Sequence, residues 1–203
     1  MAATKAAQAT QVAGDVLAEL DKYLGQDSGI DYETGHLLWQ QVDSTTIKLT
    51  GPDYGYMGLD GEPTAGNFIF KSDVTWEATG VLVCGAVFRS EPDIEKGKQY
   101  LFLFLRFSGL PAWRIEVDQY GRFQNSFTDV RYSDAIDQGN GATNQFILVA
   151  KDNEFTVYLN RNREGRYFDY SNQRVNGSFG FFASQTAGRG NCLFKNSWIW
   201  SLD

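Results

Sequence analysis

Phe-Ile-Phe-Lys-Ser-Asp-Val-Thr-Trp (68–76), Gly-Val-Leu-Val-Cys-Gly-Ala-Val-Phe-Arg-Ser-Glu (80–91), Tyr-Leu-Phe-Leu-Phe-Leu-Arg-Phe (100–107) and Trp-Arg-Ile-Glu-Val-Asp (113–118) follow one another with short breaks between them. Each run is rich in aromatic and β-branched residues, and each break is polar or contains Gly or Pro. That pattern predicts successive antiparallel strands joined by tight connections. In 67–77, Phe68, Phe70, Ser72, Val74 and Trp76 share one face. Ile69, Lys71, Asp73 and Thr75 share the other, which reads as solvated. Residues 80–90 and 100–107 are apolar on both faces, as a strand buried on both sides requires, with Arg106 the exception. In 113–118, Trp113, Ile115 and Val117 alternate with Arg114, Glu116 and Asp118.

Outward from this block, further short runs predict strands at 36–41, 45–50, 122–130, 145–151, 154–160, 166–170, 178–184 and 192–202. Gly51-Pro52-Asp53-Tyr54-Gly55 and Asp60-Gly61-Glu62-Pro63 carry turn chemistry. Tyr54, Tyr56, Met57 and Leu59 between them read as a loop lying over a sheet. Ser108–Pro111 reads as a turn and residues 132–144 as a long polar loop. About twelve short strands with Gly-rich turns predict an all-β fold, a two-sheet antiparallel jelly-roll sandwich.

One N-terminal α-helix precedes it. Residues 2–24 are dominated by Ala, Leu, Lys, Glu and Gln, with Gly25 placed to end the helix. Ala3, Ala6, Thr10, Ala13, Leu17, Leu20 and Leu24 form a seam spaced by three and four. Such a seam either docks on the sandwich or joins copies of the chain in a homo-oligomer. The expected organisation is a helix over 1–26 and a β-sandwich domain over 27–203.

Composition narrows the partners. The 203 residues carry a net charge of −7 and no Lys/Arg cluster, which argues against nucleic acid and anionic membranes. No stretch approaches the ~20 apolar residues of a membrane span. The N-terminus lacks the compact apolar core of a signal peptide. The two cysteines, Cys84 and Cys192, lack metal-binding spacing and are either two buried thiols or one disulfide.

Val-Cys-Gly-Ala-Val-Phe-Arg-Ser-Glu (83–91), Gln-Tyr-Leu-Phe (99–102), Ala-Trp-Arg-Ile-Glu-Val (112–117) and Ser-Trp-Ile-Trp (197–200) resemble the concanavalin A-like lectin/glucanase superfamily. The likeness is to domains of bacterial extracytoplasmic proteins, distantly similar to the 3-keto-disaccharide hydrolase domain. It covers residues 37–202. It implies a concave sheet that meets carbohydrate and an extracellular or cell-surface address.

Candidate chemistry follows from these residues. Laminarinase-type glucanases of the superfamily carry Glu-x-Asp and a second Glu two or three residues later. Glu116 and Asp118 match the first part, but Tyr120 and Gly121 stand where the second acid belongs. A retaining pair needs carboxyls ~5–5.5 Å apart; a distant residue such as Glu91 would have to complete it. His36 is the single histidine, and no nucleophile elbow accompanies it. Asp134 and Asp137 supply hard oxygens for calcium, or simply form Asx turns.

Sugar binding needs aromatic plates beside planar hydrogen-bonding groups. The candidates are Arg89, Glu91, Arg106, Trp113, Arg114, Glu116, Tyr120 and Gln185. Arg106, in an apolar strand, needs a partner, and Glu116 on the next strand is the candidate. Three functions compete: a lectin-like, non-catalytic module binding carbohydrate on the concave sheet, a glycoside-processing hydrolase, and an assembly protein oligomerising through its helix.

Overall fold

A computed structural model describes residues 2–25, 29–107, 109–126 and 128–203, with side chains from Thr10 onward. Helix α1 spans Ala2–Tyr23. In chain order the strands are β1 (His36–Gln40), β2 (Thr45–Thr50), β3 (Asp53–Gly58), β4 (Thr64–Ala65), β5 (Phe68–Ala78), β6 (Leu82–Ser90), β7 (Lys98–Phe107), β8 (Leu110–Gln119), β9 (Arg122–Ser126), β10 (Arg131–Tyr132), β11 (Thr143–Lys151), β12 (Glu154–Leu159), β13 (Asn162–Phe168), β14 (Gly177–Gln185) and β15 (Arg189–Ser201). The first sheet runs β1-β15-β5-β11-β12-β13, with β2 also paired to β15. The second runs β10-β8-β7-β6-β14-β3, with β4 on β14 and β9 on β8. The pairs are antiparallel. The sheets face each other as the two layers of a jelly-roll sandwich.

The alternation along each strand places the core. Phe68, Phe70, Val74 and Trp76 of the first sheet meet Cys84, Ala86, Phe88, Phe102, Phe104, Trp113 and Phe181 of the second. Edge-to-face pairs such as Phe68–Phe179 (4.7 Å between centroids) lock the layers by ring geometry as well as buried area. Cys84 on β6 and Cys192 on β15 are joined by a disulfide that ties one sheet to the other.

The far face of the first sheet differs from the sequence reading. Ile69 and Lys71 are not solvated; they are buried under α1. Val16, Leu20 and Leu24 of the helix region pack on Ile69, Ile147, Val149, Trp198 and Trp200. Burying Leu20 alone contributes about 1.5–3 kcal/mol. Polar contacts fix the register. Trp198 Nε1 donates to Glu19 Oε2 (2.7 Å), Lys71 Nζ lies 3.5 Å from Glu19 Oε1, and Tyr32 OH donates to Asp21 Oδ1 (2.8 Å). The buried stripe is centred on Val16, Leu20 and Leu24, with Ala13 and Leu17 at its margin. Ala3 and Ala6 of the seam, the 26/27 boundary, Ser108 of the expected turn and Phe127 of the expected 122–130 strand lie outside the described side chains or residues. That strand ends at Ser126, and β10 forms where a loop was expected.

Candidate functional site

Tyr54, Tyr56 and Met57 belong to edge strand β3, not to a loop lid. Their period-two alternation was the available signal, and the flanking turn residues masked it. From that edge Tyr56 OH donates to Asp118 Oδ1 at 3.2 Å. Four strand spacings separate β3 from β8, about 19 Å in a flat sheet. A tyrosine and an aspartate cannot span that distance, so the second sheet curls and its outer face is the hollow side.

The hollow has two halves. Val87, Leu101, Leu103 and Phe182 make an apolar half, with Tyr56, Val83 and Ile94 packed over it. Ile94 sits so closely that a Cβ on Gly180 would fall 2.2 Å from its Cδ1. The protein's own side chains therefore fill this half.

The other half, along β8, is polar. Arg114, Glu116 and Asp118 project to the same side because they are two residues apart on one strand. Arg114 Nη2 lies 2.5 Å from Glu116 Oε2. Arg114 Nε and Glu116 Oε2 are buried without a hydrogen-bond partner, Oε2 being held by the ion pair alone. Such unspent polar atoms are expensive to bury and invite a ligand or water. The Arg114 guanidinium sits over the Phe123 ring at 5.4 Å, and Phe123 is exposed. Tyr120 and Gly121 form the β8–β9 turn, with φ of 56° and 64°. An added Cβ on Gly121 would meet the Tyr54 hydroxyl at 3.1 Å, so Tyr54 reaches this turn across the sheet. Tyr54 and Tyr120 are both largely exposed.

Burial pushes the Glu116 carboxyl up to about 7, against the downward pull of Arg114 and with a further push from Asp118. Burial also raises Asp118, opposed by the hydrogen bond from Tyr56. Asp118 is 3% exposed, so it is spent on Tyr56 rather than offered to solvent.

Of the sequence candidates the structure pairs Arg114 with Glu116 and leaves Tyr120 exposed in the turn that ends their strand; it adds Phe123 against Arg114, and Tyr56 and Tyr54 at the Asp118–Gly121 end of β8. The remaining candidates lie elsewhere. Arg106 does not pair with Glu116. Its Nε donates to Gln138 O (3.0 Å) and its Nη1 to Gly80 O (3.2 Å), at the end of the sandwich where β7 finishes. Pairing fails because Arg106 shares the core-facing parity of Phe102 and Phe104, while Glu116 projects outward. Trp113 is fully buried in the core and donates to Glu164 Oε2, which excludes it as a sugar plate. Arg89 is 1% exposed; it donates to Gly66 O and Asp152 O and ties loops together at the opposite end. Glu91 there accepts from Arg174 Nη1 at 3.2 Å. Gln185 is buried, donating to Gly51 O and Gly188 O. Asp134 and Asp137 sit between β10 and β11, and Asp137 Oδ1 accepts from Gly139 N in an Asx turn. Among the described residues no group of three or more His, Cys, Asp or Glu side chains is gathered for a metal. No helix among them is long and apolar enough to cross a membrane.

No family model matches this sequence, and no curated protein does. Solved structures do match. The carbohydrate-binding module CBM66 from Bacillus subtilis superposes with a TM-score of 0.59 at 16% identity, over 81% of this chain and 97% of that one. The Bacillus licheniformis beta-glucanase superposes with a TM-score of 0.52 at 8% identity, over 79% of each chain. At such identities the likeness speaks for fold, and the fold of this chain is the concanavalin A-like jelly-roll sandwich.

Proposed function

We propose that the protein is a non-catalytic carbohydrate-recognition module whose ligand rests on the polar half of the hollow along β8. The observation that carries this reading is the Arg114–Glu116 ion pair, with Glu116 buried and the guanidinium partly exposed, lying over the exposed ring of Phe123, on the strand whose far end meets the exposed Tyr54. Sugar hydroxyls pair with such planar groups, and apolar sugar faces stack on such rings. The shared fold with a protein named as a carbohydrate-binding module supports it. The buried Cys84–Cys192 disulfide fits an oxidising, extracytoplasmic address.

The test is a glycan array probed with the wild-type protein and with Arg114→Ala. Binding to a glycan that falls at least tenfold in the variant is expected. Equal signals from both proteins, or no hit on any glycan, would refute the assignment.

One observation favours hydrolysis as the second reading: Glu116, with its carboxyl near 7, has the protonation of a general acid. Against it, Glu116 is itself only 5% exposed and Asp118 is buried and held by Tyr56, so β8 presents no open pair of carboxylates. Reducing-sugar release that vanishes in Glu116→Gln would decide for the enzyme. Assembly through α1 has weaker support, because the leucine end of the helix is spent on the first sheet.

A further inference from the structure

On the opposite side of the sandwich, beside Gly29 and Ile30, a cleft of about 270 Å³ opens on the outer face of β11, β12 and β13. Lys151, Arg163 and Arg166 line it, with Asp152, Asn153 and Glu154. Arg166 is paired with Glu154. Neither Lys151 nor Arg163 has a carboxylate within ion-pair distance among the described residues. Three cations against two carboxylates give the cleft a positive balance, which stands out in a chain of net charge −7. Next to the cleft the Phe168 and Tyr170 rings stack at 6.0 Å and 19°, and Tyr170 is 87% exposed. Phe168 stands opposite Glu154 in the ladder, and the Arg166 guanidinium lies 5.1 Å from its ring. The aromatic pair and the cleft are therefore contiguous.

From this juxtaposition we propose a second ligand site that takes an acidic sugar, a hexuronate unit of a polysaccharide. Its carboxylate is received by Lys151 and Arg163, its hydroxyls by Asn153 and Glu154, and the ring face of the same or the next unit by Tyr170. The cleft lies at the low end of ligand-site volumes, the size for one sugar unit rather than an oligomer. A carboxylate on an exposed guanidinium makes a charge-assisted bond, and the open aromatic face selects a saccharide over a bare anion. Nucleic acid, which would also stack and carry charge, is opposed by the overall acidity of the protein. This site stands on the first sheet and is independent of the hollow on the second.

The experiment is affinity electrophoresis at 0.15 M NaCl in gels cast with polygalacturonic acid or with fully methyl-esterified pectin. The proteins are the wild type, Lys151→Ala/Arg163→Ala, Tyr170→Ala and Arg114→Ala, with each fold checked by circular dichroism. The wild type should be retarded by polygalacturonic acid and not by the ester. The double variant should bind at least tenfold more weakly, since it loses both charge-assisted contacts to the carboxylate and one alone is worth about tenfold. Tyr170→Ala should be weakened too, and Arg114→Ala should run as the wild type. The proposal falls if the wild type migrates alike in both gels, or if the double variant is retarded as strongly as the wild type. It falls also if Arg114→Ala abolishes retardation, which would move the ligand to the hollow. Retardation relieved equally by polyglutamate, with Tyr170→Ala unaffected, would make the cleft an acidic-peptide surface and overturn the saccharide assignment.

Discussion

Replacing Glu116 with glutamine should change how stability depends on pH. The carboxyl has an ordinary value of 4.5 and titrates at about 7 in the folded protein, mainly because it is buried. The folded state thus binds this proton more tightly than the unfolded chain does. The resulting stabilisation is fully present below pH 4.5 and is lost as pH rises through about 7. A gap of about 2.5 pH units at roughly 1.4 kcal/mol each comes to about 3.5 kcal/mol. Glutamine keeps the shape and the acceptor oxygen facing Arg114 but carries no titrating proton. Urea unfolding from pH 4 to pH 8.5 should therefore show the wild type losing up to about 3.5 kcal/mol more than Glu116→Gln across this window. Asp118, raised in the same direction, leaves a residual slope in both proteins. Parallel pH profiles for the two proteins would refute the claim that Glu116 is a desolvated carboxyl on the hollow face.

Three further outcomes can be measured. Converting Cys84 and Cys192 together to alanine opens a loop of 108 residues; chain entropy gives about 4.7 kcal/mol for a loop near that length, so guanidinium unfolding should show a loss of 2–5 kcal/mol by that principle. A loss below about 1 kcal/mol would mean that the cross-link scarcely restricts the unfolded chain. Leu20→Ala should cost about 2–5 kcal/mol, because Leu20 is fully buried between helix and sheet; an unchanged unfolding midpoint would mean that α1 is not docked in solution. Arg106→Ala should lower stability by about 1–3 kcal/mol through two orphaned carbonyls. The same variant should leave glycan binding as in the wild type, and reduced binding would return Arg106 to the site.

Much of the sandwich was legible because strand periodicity is local. Each side chain from Phe68 to Trp76 takes its face from its neighbours two positions away, and Trp113, Ile115 and Val117 do the same. The site was legible only in part. Arg114 and Glu116 announce themselves as outward charges on an otherwise apolar block, and they do share the hollow. Arg106 reads from the sequence as the stronger candidate because an arginine in an apolar strand needs a partner. Its needs are met instead by the carbonyls of Gly80 and Gln138, at a strand end that no spacing rule reveals. Tyr54 was missed because its reach to the β8–β9 turn depends on how far the sheet curls, and Phe123 because its contact with Arg114 depends on the hairpin register.

The sequence alone determined the periodicities, and with them the strands, the helix and which residues share a face. Those follow from backbone geometry and hold wherever the strand ends up. The tertiary structure decided which of the two sheets the helix covers and which outer face stays open. It decided also that Ile69 and Lys71 are buried while Tyr54 reaches the β8–β9 turn. These are questions of distance between residues far apart in the chain. They are settled by sheet order, twist and the packing of one apolar face on another, none of which a local pattern encodes.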